Sequence, residues 1–400
     1  MDFQIMQSLL EEAKILIDDF QMTGVDSSRL QAQEKAIQIV RALERPQDAI
    51  LKLAYSPAIF LAVKVAHDLK VFTLLAQATS PVPLAVLAAE RSADPLLVER
   101  IMKVLVADGI VQESAPRKYL PTSVSTEMTQ RASIGVIESM FIEVLPALQK
   151  TAEYLRLTNY RSPDDPTFAP FQFTNNLNIE LFEWLGQNPD ALTRFNSFME
   201  GHRPNYLHWS DWFPVRERIF NHPDVTAESP LLVDIGGGRG HDLIAFRNRF
   251  PNAAGKLILE DLPAVIDEAQ GVQNLTARAI DTVAYDFFTQ VQPVRGARVY
   301  YLKSLLHDWS DQKATVILNN LKSAMKPGFS KILVEDYILP DQNARLYPCM
   351  VDLIVMALCA GRERTRQGWN DLFSSVGMKI VKFWEHGGDE MGIIEVELPD

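Results

Sequence analysis

The pattern of apolar positions divides the chain into a helical first part and an alternating second part. Over residues 3–54, apolar side chains recur at helical spacing in "IMQSLLEEAKILIDDF" and "LQAQEKAIQIVRAL", which predicts amphipathic helices. The segment "SPAIFLAVKVAHDLKVFTLLAQ" (56–77) predicts one further helix, with Ser56 as its N-cap and Pro57 in its first turn. This segment is apolar on most faces, so we expect it to be buried within its domain or against a partner.

Residues 83–123 show the pattern of a winged helix. Two short helical segments, "PLAVLAAE" and "DPLLVERIMKVLVADG", precede two short strand-like segments, "IVQES" and "KYLPTS". A winged helix can bind DNA, but residues 56–125 hold seven basic and six acidic side chains. That balance lacks the basic footprint that a phosphate backbone requires. A scaffold or dimerisation role is therefore favoured, and a winged-helix regulator is an alternative.

From residue 230 onward, strand patterns alternate with helix patterns. "PLLVDIGGG", "KLILEDLP", "ARVYYL" and "SKILVEDYIL" read as strands, and "DLIAFRNRF", "DQKATVILNNLKSAM" and "RQGWNDLFSSVGM" as helices. This alternation predicts an α/β domain with a doubly wound, mainly parallel sheet. The last strands, "KIVKFWEH" and "MGIIEVEL", predict an antiparallel edge pair. We expect an N-terminal helical and winged-helix domain over 1–130. Residues 131–400 are expected to form a helical substrate region, rich in aromatic residues, and the sheet domain.

Composition narrows the class of protein. A chain of 400 residues with 47% hydrophobic and 22% charged residues is ordinary for a two-domain globular protein. Its net charge of −12 argues against nucleic-acid and polybasic membrane-surface roles. Two cysteines, Cys349 and Cys359, suit a reducing compartment and exclude a disulfide scaffold. The acidic N-terminus is unlike a signal peptide, and no apolar run reaches 18 residues. A cytoplasmic protein without nucleic-acid or membrane partners is predicted.

The strongest chemical signal is "LLVDIGGGRGHDL" (231–243), a strand that runs through glycines into a helix. Ligands of doubly wound sheets bind at such turns, where glycine lets the backbone approach them. A dinucleotide site would need a glycine at position 241, which is histidine, and the phosphate-loop pattern is absent. What remains is an acid followed by three alternating glycines: Asp234, Gly236, Gly238 and Gly240.

Three later strand ends add candidate residues. Asp261 lies in "LILEDLP" at the end of a predicted strand, where an acid can bond both ribose hydroxyls of a nucleoside. In "AYDFF", Asp286 and Phe287 stand where an adenine could be bonded at its amino group and packed on its face. The segment "YYLKSLLHDWSD" (300–311) follows a further strand and carries Lys303 and His307. The ordered spacing of these acids favours a nucleoside cofactor over a tight turn with unrelated carboxylates.

In their order along the chain, the glycine motif, "EDLPAVI", "YDFF", "LKSLLHDWSD", "MKPG", "ILP" and "GRERT" resemble one enzyme family. They are similar to the motifs of S-adenosylmethionine (SAM)-dependent O-methyltransferases of the caffeate/isoflavone type, and closest to fungal secondary-metabolite members. The resemblance, over roughly residues 56–400, implies a Rossmann-like class I methyltransferase domain behind a winged-helix dimerisation domain. It also implies a homodimer, SAM as cofactor and no metal.

Position by position, the resemblance assigns catalytic roles. His307 matches the base, while Asp336 in "VEDYILP" and Glu363 in "GRERT" match two carboxylates beside it, in preference to the adjacent Asp308. Relatives usually have glutamate at the position of Asp336. Lys303 matches a cofactor-contacting lysine of plant-type relatives, and many fungal relatives carry histidine there. A phenol has a pKa near 10, so a neutral imidazole, with an ordinary pKa near 6.5, can assist its deprotonation.

The substrate pocket and the reaction itself leave alternatives open. "FMEGHRPNYLHWSDWFP" and "CMVDLIVMALCAG" match regions that line the acceptor cavity in relatives, and plain core packing explains them equally well. Candidate substrate contacts are Met199, Arg203 and Met356. The family resemblance also includes leporin-type pericyclases, which retain SAM but dehydrate and cyclise 2-pyridone substrates without methyl transfer. A cation such as Lys303 or Arg203 would serve that chemistry, whereas the His307 set favours methyl transfer.

Overall fold

A computed structural model describes residues 3–201, 207–386 and 391–399. The chain forms two compact units, Met1–Leu145 with Leu185–Pro204, and Pro146–Trp184 with Asn205–Asp400. The units interleave along the chain, and the division expected at residue 130 stays a prediction.

The first unit is built of helices and a small three-stranded sheet. Its helices are α1 (Phe3–Thr23), α2 (Asp26–Leu43), α3 (Pro46–Tyr55), α4 (Pro57–Asp68), α5 (Val71–Gln77), α6 (Leu84–Ala89), α7 (Pro95–Ala107), α8 (Ser123–Glu127) and α9 (Arg131–Ser139). Its strands are β1 (Val82–Pro83), β2 (Val111–Ala115) and β3 (Lys118–Pro121), in the order β1-β3-β2. The α6–α7 pair followed by the β2–β3 hairpin is the winged helix that the sequence predicts.

The helix predicted over residues 56–77 is wrong in two respects. It is divided into α4 and α5 by Lys70, whose φ of 58° is left-handed. Val71 and Phe72 are buried in the core of this unit, so the chain turns at Lys70 instead of continuing as one straight helix. Ser56 is itself helical, and its hydroxyl donates to the carbonyl of Leu53 at 2.8 Å, so it does not cap α4.

The N-terminal helices leave many apolar side chains exposed. By length and composition alone, two helical stretches, Pro46–Asp68 and Arg131–Leu157, are able to cross a membrane. Only 17% of the apolar window in the first stretch is buried within the chain. Exposed apolar patches of this kind mark contact surfaces for another protein or a membrane. Exposed apolar residues of α1–α4 include Phe3, Ile5, Ile15, Ile17, Ile50, Leu51, Leu53, Tyr55 and Leu61.

Helices also lead into the second unit, where a large sheet follows. After a π-helical turn (Met140–Val144) come α10 (Leu145–Leu157), α11 (Pro170–Asn175) and α12 (Leu181–Gln187). Next is α13 (Pro189–Gly201), which belongs to the first unit, and then α14 (Trp209–Trp212) and a second π-helical turn (Arg216–Phe220). The sheet domain holds β4 (Pro230–Ile235), α15 (His241–Arg249), β5 (Lys256–Asp261), α16 (Pro263–Gln273), β6 (Ile280–Ala284), β7 (Val299–Lys303), α17 (Asp311–Lys322), β8 (Lys331–Asp336), β9 (Ile338–Leu339), α18 (Leu346–Cys359), β10 (Arg364–Thr365), α19 (Arg366–Ser375), β11 (Lys379–Trp384) and β12 (Gly392–Glu397).

The large sheet confirms the doubly wound prediction. Its seven strands lie in the order β11-β12-β8-β7-β4-β5-β6. The strands β8, β7, β4, β5 and β6 pair in parallel, and β12 pairs antiparallel with both of its neighbours, β8 and β11. Side chains alternate between two cores: Tyr300 and Leu302 pack on one face, and Val299 and Tyr301 on the other. Burial on both faces explains the nearly continuous apolar strands. Because these strands are parallel, the polar residues at their carboxyl ends lie at one edge of the sheet.

Candidate functional site

The glycine turn after β4 has the backbone that its residue types predict. Gly236, Gly238 and Gly240 have φ values of 68°, 59° and 75°, a region that side chains with a Cβ rarely adopt. A Cβ on Gly236 would lie 2.5 Å from Leu305 Cδ1, so a larger residue would also have to displace that side chain. A Cβ on Gly238 would meet nothing within 4 Å, so its backbone faces open space. Asp234 is buried in β4 below this turn.

Asp261 lies at the end of β5, beside the glycine turn. The N–H of Gly238 donates to its Oδ2 at 2.8 Å, and the N–H of Leu262 donates to its Oδ1 at 2.7 Å. Burial raises the pKa of Asp261, and these two backbone donors oppose that rise. Each carboxylate oxygen has a second lone pair, so Asp261 retains capacity to accept hydroxyl donors.

Asp286 and Phe287 follow β6 at the same edge of the sheet. The Asp286 carboxylate closes its own turn, because Oδ1 accepts from the N–H of Phe288 at 2.9 Å and Oδ2 from the Thr289 hydroxyl at 2.6 Å. The half-buried Phe287 ring packs on Phe288 at 4.9 Å between centroids. Its Cε1 lies 4.0 Å from where a Cβ on Gly236 would stand, so the ring borders the glycine turn.

Lys303 lies in a buried network of charges that the sequence pattern did not indicate. Its Nζ lies 2.9 Å from Asp242 Oδ1 and 3.3 Å from Glu335 Oε1. Glu335 accepts a hydrogen bond from the Tyr301 hydroxyl, and His208 Nε2 lies 3.4 Å from Asp242 Oδ1. The Lys303–Glu335 pair follows from β-sheet register, since these residues are partners in the β7–β8 ladder. Asp242 comes from the first turn of α15, directly after the glycines.

The proposed catalytic residues converge on one imidazole. His307 lies on a 3₁₀ turn, Leu306–Asp308, which follows β7. Its Nδ1 lies 2.7 Å from Glu363 Oε1 and 3.4 Å from Asp336 Oδ1. Asp336 is the last residue of β8, and Glu363 directly precedes β10, which pairs in parallel with β9. All three residues are buried.

Asp308, which is not among the predicted catalytic residues, lies on the other side of the ring. Its Oδ1 is 3.5 Å from His307 Nε2 and 3.7 Å from the Sγ of Cys359, a residue of α18. The backbone N–H of Glu363 donates to Asp352 Oδ1 at 2.7 Å, so α18 also anchors the second carboxylate. The sequence does not predict the Cys359–Asp308 contact or the Asp352–Glu363 contact, because both depend on how α18 packs against the site in the folded chain.

Electrostatics couple these groups. Burial alone disfavours the imidazolium, but the carboxylates of Asp336, Glu363 and Asp308 outweigh it and raise the pKa of His307 well above its ordinary value. Burial also raises the pKa of Asp336 to about 7 and that of Asp308 to about 6, and His307 opposes both rises. The imidazole is thus a stronger base than free histidine.

The same donors have a geometry that a metal ion could use. One atom each of His307, Asp336 and Glu363 lies within 4.8 Å of the others. The 2.7 Å contact between Nδ1 and Glu363 Oε1 fits a direct hydrogen bond equally well. A metal-free site stays a prediction.

The predicted substrate contacts fall in different parts of the chain. Met199 is half-buried on α13 in the first unit, and Met356 is half-buried on α18 in the second. Arg203 lies outside the described residues. These three residues therefore stay predictions.

Comparison with known proteins covers both units. Residues 172–379 match the O-methyltransferase domain, and residues 51–131 match the O-methyltransferase dimerisation domain. "O-methyltransferase penC" of Penicillium thymicola is 36% identical over 92% of this chain and 92% of its own. A demethylsterigmatocystin 6-O-methyltransferase of Aspergillus flavus is 30% identical over 87% of each chain.

Solved structures agree in fold over nearly the full chain. LepI in complex with SAM has a TM-score of 0.88 and 25% identity, over 98% of this chain and 99% of its own. A structure described as a pericyclic reaction enzyme has the same TM-score and identity, over 98% and 100% of the two chains. OxaC in complex with S-adenosylhomocysteine (SAH) and oxaline has a TM-score of 0.86 and 26% identity, over 99% of each chain.

Proposed function

Because this chain belongs to the SAM-dependent O-methyltransferase family, we propose that it methylates a phenolic or enolic hydroxyl of a secondary metabolite, with His307 as general base. The observation that carries the proposal is the 2.7 Å contact between His307 Nδ1 and Glu363 Oε1, with Asp336 at 3.4 Å. A carboxylate on one ring nitrogen fixes the tautomer, and it leaves the other nitrogen to accept a proton.

The edge formed by β4, β5 and β6 fits SAM. The glycine turn exposes its backbone at Gly238, where a Cβ would find open space. Asp261 would accept the ribose hydroxyls, while Asp286 and Phe287 would hold the adenine. Bound SAM supplies an electrophilic methyl group on a sulfonium. Lys303 and Asp234 complete the proposed cofactor set, with Lys303 acting through its ion pairs to Asp242 and Glu335.

The proton step follows from the ring environment. With Nδ1–H donating to Glu363, Nε2 carries the lone pair that accepts the hydroxyl proton of the acceptor. Asp336 and Glu363 then stabilise the imidazolium. A raised His307 pKa brings the base closer to a phenol, whose pKa is near 10, which reduces the cost of proton transfer. The same base is far weaker than an aliphatic alkoxide, so the pocket favours phenols and enols. Met199, Arg203 and Met356 are proposed to contact the acceptor.

The test is methyl transfer by His307→Asn, measured as SAH release with a panel of phenolic and enolic acceptors. Loss of a general base is expected to lower turnover roughly 10²–10⁴-fold. His222→Asn is the matched control, because the His222 side chain contacts other residues than the cluster: its Nδ1 accepts from the N–H of Asp224, and its ring packs on Phe329. Wild-type turnover by His307→Asn would refute the role of His307.

A second candidate is a SAM-binding pericyclase acting on a 2-pyridone, favoured by the likeness to the structure described as a pericyclic reaction enzyme. A cation facing the substrate would assist that chemistry by stabilising developing negative charge. Lys303 is engaged by Asp242 and Glu335 instead, which supports methyl transfer. The two reactions differ in stoichiometry: methyl transfer releases one SAH per product, whereas a pericyclic reaction releases none.

We propose a homodimer formed by the N-terminal helices. The match to the dimerisation domain and the exposed apolar residues of α1–α4 support it. Light scattering tests it with Leu53→Glu, because Leu53 is 76% exposed in the single chain. A charge there is expected to shift the mass toward a monomer of 45.1 kDa. An unchanged dimer would place the interface elsewhere.

A further inference from the structure

Arg364 is a charged side chain with no access to solvent. It is 0% exposed, whereas arginine is almost never fully buried unless it is paired. It directly follows the proposed carboxylate Glu363, and it lies in β10. Burial disfavours the guanidinium charge and lowers the pKa of Arg364, so its neighbours must compensate.

The partners of the guanidinium lie on both sides of His307. Nη1 donates to the carbonyl of Leu306 at 2.8 Å, and Nη2 donates to the carbonyl of Trp309 at 2.8 Å. Nε donates to Asp311 Oδ1 at 2.8 Å. The guanidinium carbon lies 5.1 Å from the centroid of the buried Trp369 ring, which supports one face.

These contacts span the turn that presents the imidazole. Leu306 and Trp309 are the residues before and after the His307–Asp308 pair, so one rigid, planar group fixes both ends of the turn. The backbone adds a third attachment, because the N–H of Arg362 donates to the His307 carbonyl at 2.7 Å. Lysine has a single ammonium on a flexible stem, so it cannot hold two carbonyls and a carboxylate in one plane.

We propose that Arg364 is a positioning residue, which holds the Leu306–Trp309 turn so that His307 Nδ1 stays against Glu363 and Asp336. The carboxylates that face the ring come from three places: Asp308 on the turn, Asp336 at the end of β8, and Glu363 before β10. The Cys359 thiol of α18 lies behind Asp308. Movement of the turn weakens the contacts with Asp336 and Glu363, and His307 then becomes a weaker base.

This inference rests on the proposed role of His307, but its test does not need turnover. The full-length protein is labelled with [13Cε1]-histidine, and His307 is titrated by NMR, with its signal assigned from His307→Asn. Arg364→Lys is expected to lower the pKa of His307 by about half a unit or more, because the turn moves away from the carboxylates. With any accepted phenol, kcat should fall roughly 10- to 100-fold, as expected for a misplacement near 1 Å, while the Kd for SAM stays near wild type.

Arg362→Lys is the matched control. Arg362 belongs to the same motif and also pairs with Asp311, at 3.0 Å, but its side chain is half exposed and contacts neither carbonyl. In Arg362→Lys, the pKa of His307 and kcat should both equal those of the wild type. If Arg364→Lys lowers only the Tm and leaves the titration of His307 and kcat unchanged, Arg364 is merely structural and the proposal fails.

If Arg364→Lys folds poorly, a milder variant tests the same proposal. Asp311→Asn removes the charge of the half-exposed carboxylate that aligns Nε of Arg364 and that Arg362 also contacts. A smaller fall in the pKa of His307 is expected, and a titration identical to that of Arg362→Lys would overturn the proposal. Wild-type turnover by His307→Asn would refute the proposed function alone, because the Arg364 titration would still report whether the turn is held.

Discussion

The contact between Glu363 and His307 makes the sharpest prediction. Glu363→Gln keeps the size of the side chain and removes its charge. In the wild type, Glu363 Oε1 lies 2.7 Å from Nδ1, the length of a charge-assisted hydrogen bond. Such bonds contribute roughly 1.5–3 kcal/mol. If this stabilisation is realised when the imidazolium forms, its loss lowers kcat roughly 10- to 150-fold. Asp336 remains at 3.4 Å, so activity should not be abolished.

Glu363→Gln should also change the pH dependence of activity in a definite direction. Nearby carboxylates raise the pKa of His307, and the neutral imidazole is the active form. Activity therefore falls as pH drops below that pKa. Removing one carboxylate lowers the pKa, so Glu363→Gln should shift the acid limb of kcat/KM to lower pH while its maximum decreases.

The assay is SAH release across pH at saturating SAM. Glu180→Gln is the matched control, because Glu180 pairs with Lys313 at 3.1 Å away from His307. Its pH profile should equal that of wild type. An acid limb of Glu363→Gln that stays in place or moves to higher pH would refute the reasoning, even if the rate falls.

Three further predictions test the surrounding structure. Gly361→Ala should lower kcat at least about tenfold and destabilise the fold by roughly 1–3 kcal/mol in denaturant, because its Cβ would overlap the His307 carbonyl oxygen; wild-type values would contradict the packing. Asp261→Asn should weaken SAM binding about tenfold or more by calorimetry, with kcat at saturating SAM nearly unchanged. Burial raises the pKa of Glu260 to about 7. The unfolded chain loses this proton near its ordinary pKa, whereas the folded state keeps it until about pH 7, so stability falls as pH rises from the first value to the second. Relative to wild type, Glu260→Gln should gain about 1–3 kcal/mol between pH 5 and pH 8.5, and equal stabilities at both pH values would contradict this.

The sequence alone determined the elements that local rules control. A buried strand, a turn with glycines at alternate positions and a helix are neighbours along the chain, so residues 231–243 predict the turn after β4 without tertiary information. Alternation of strands and helices predicts the parallel sheet, and parallel strands bring Asp261, Asp286 and Lys303 to one edge. Local rules failed at Lys70, where core packing of α5 overrides a continuous helical pattern.

Only the tertiary structure decided which groups meet at that edge. Lys303 has two partners: Asp242 comes from α15, and Glu335 comes from β8. Nothing in the local sequence around these two acids marks them as partners of Lys303. Arg364 is adjacent to Glu363 along the chain, yet it bonds the two carbonyls that flank His307. Hydrogen bonds and ion pairs act over about 3 Å, whereas sequence patterns report only burial and backbone conformation. The distances that tune the proposed base therefore depend on how separate strands and loops pack together.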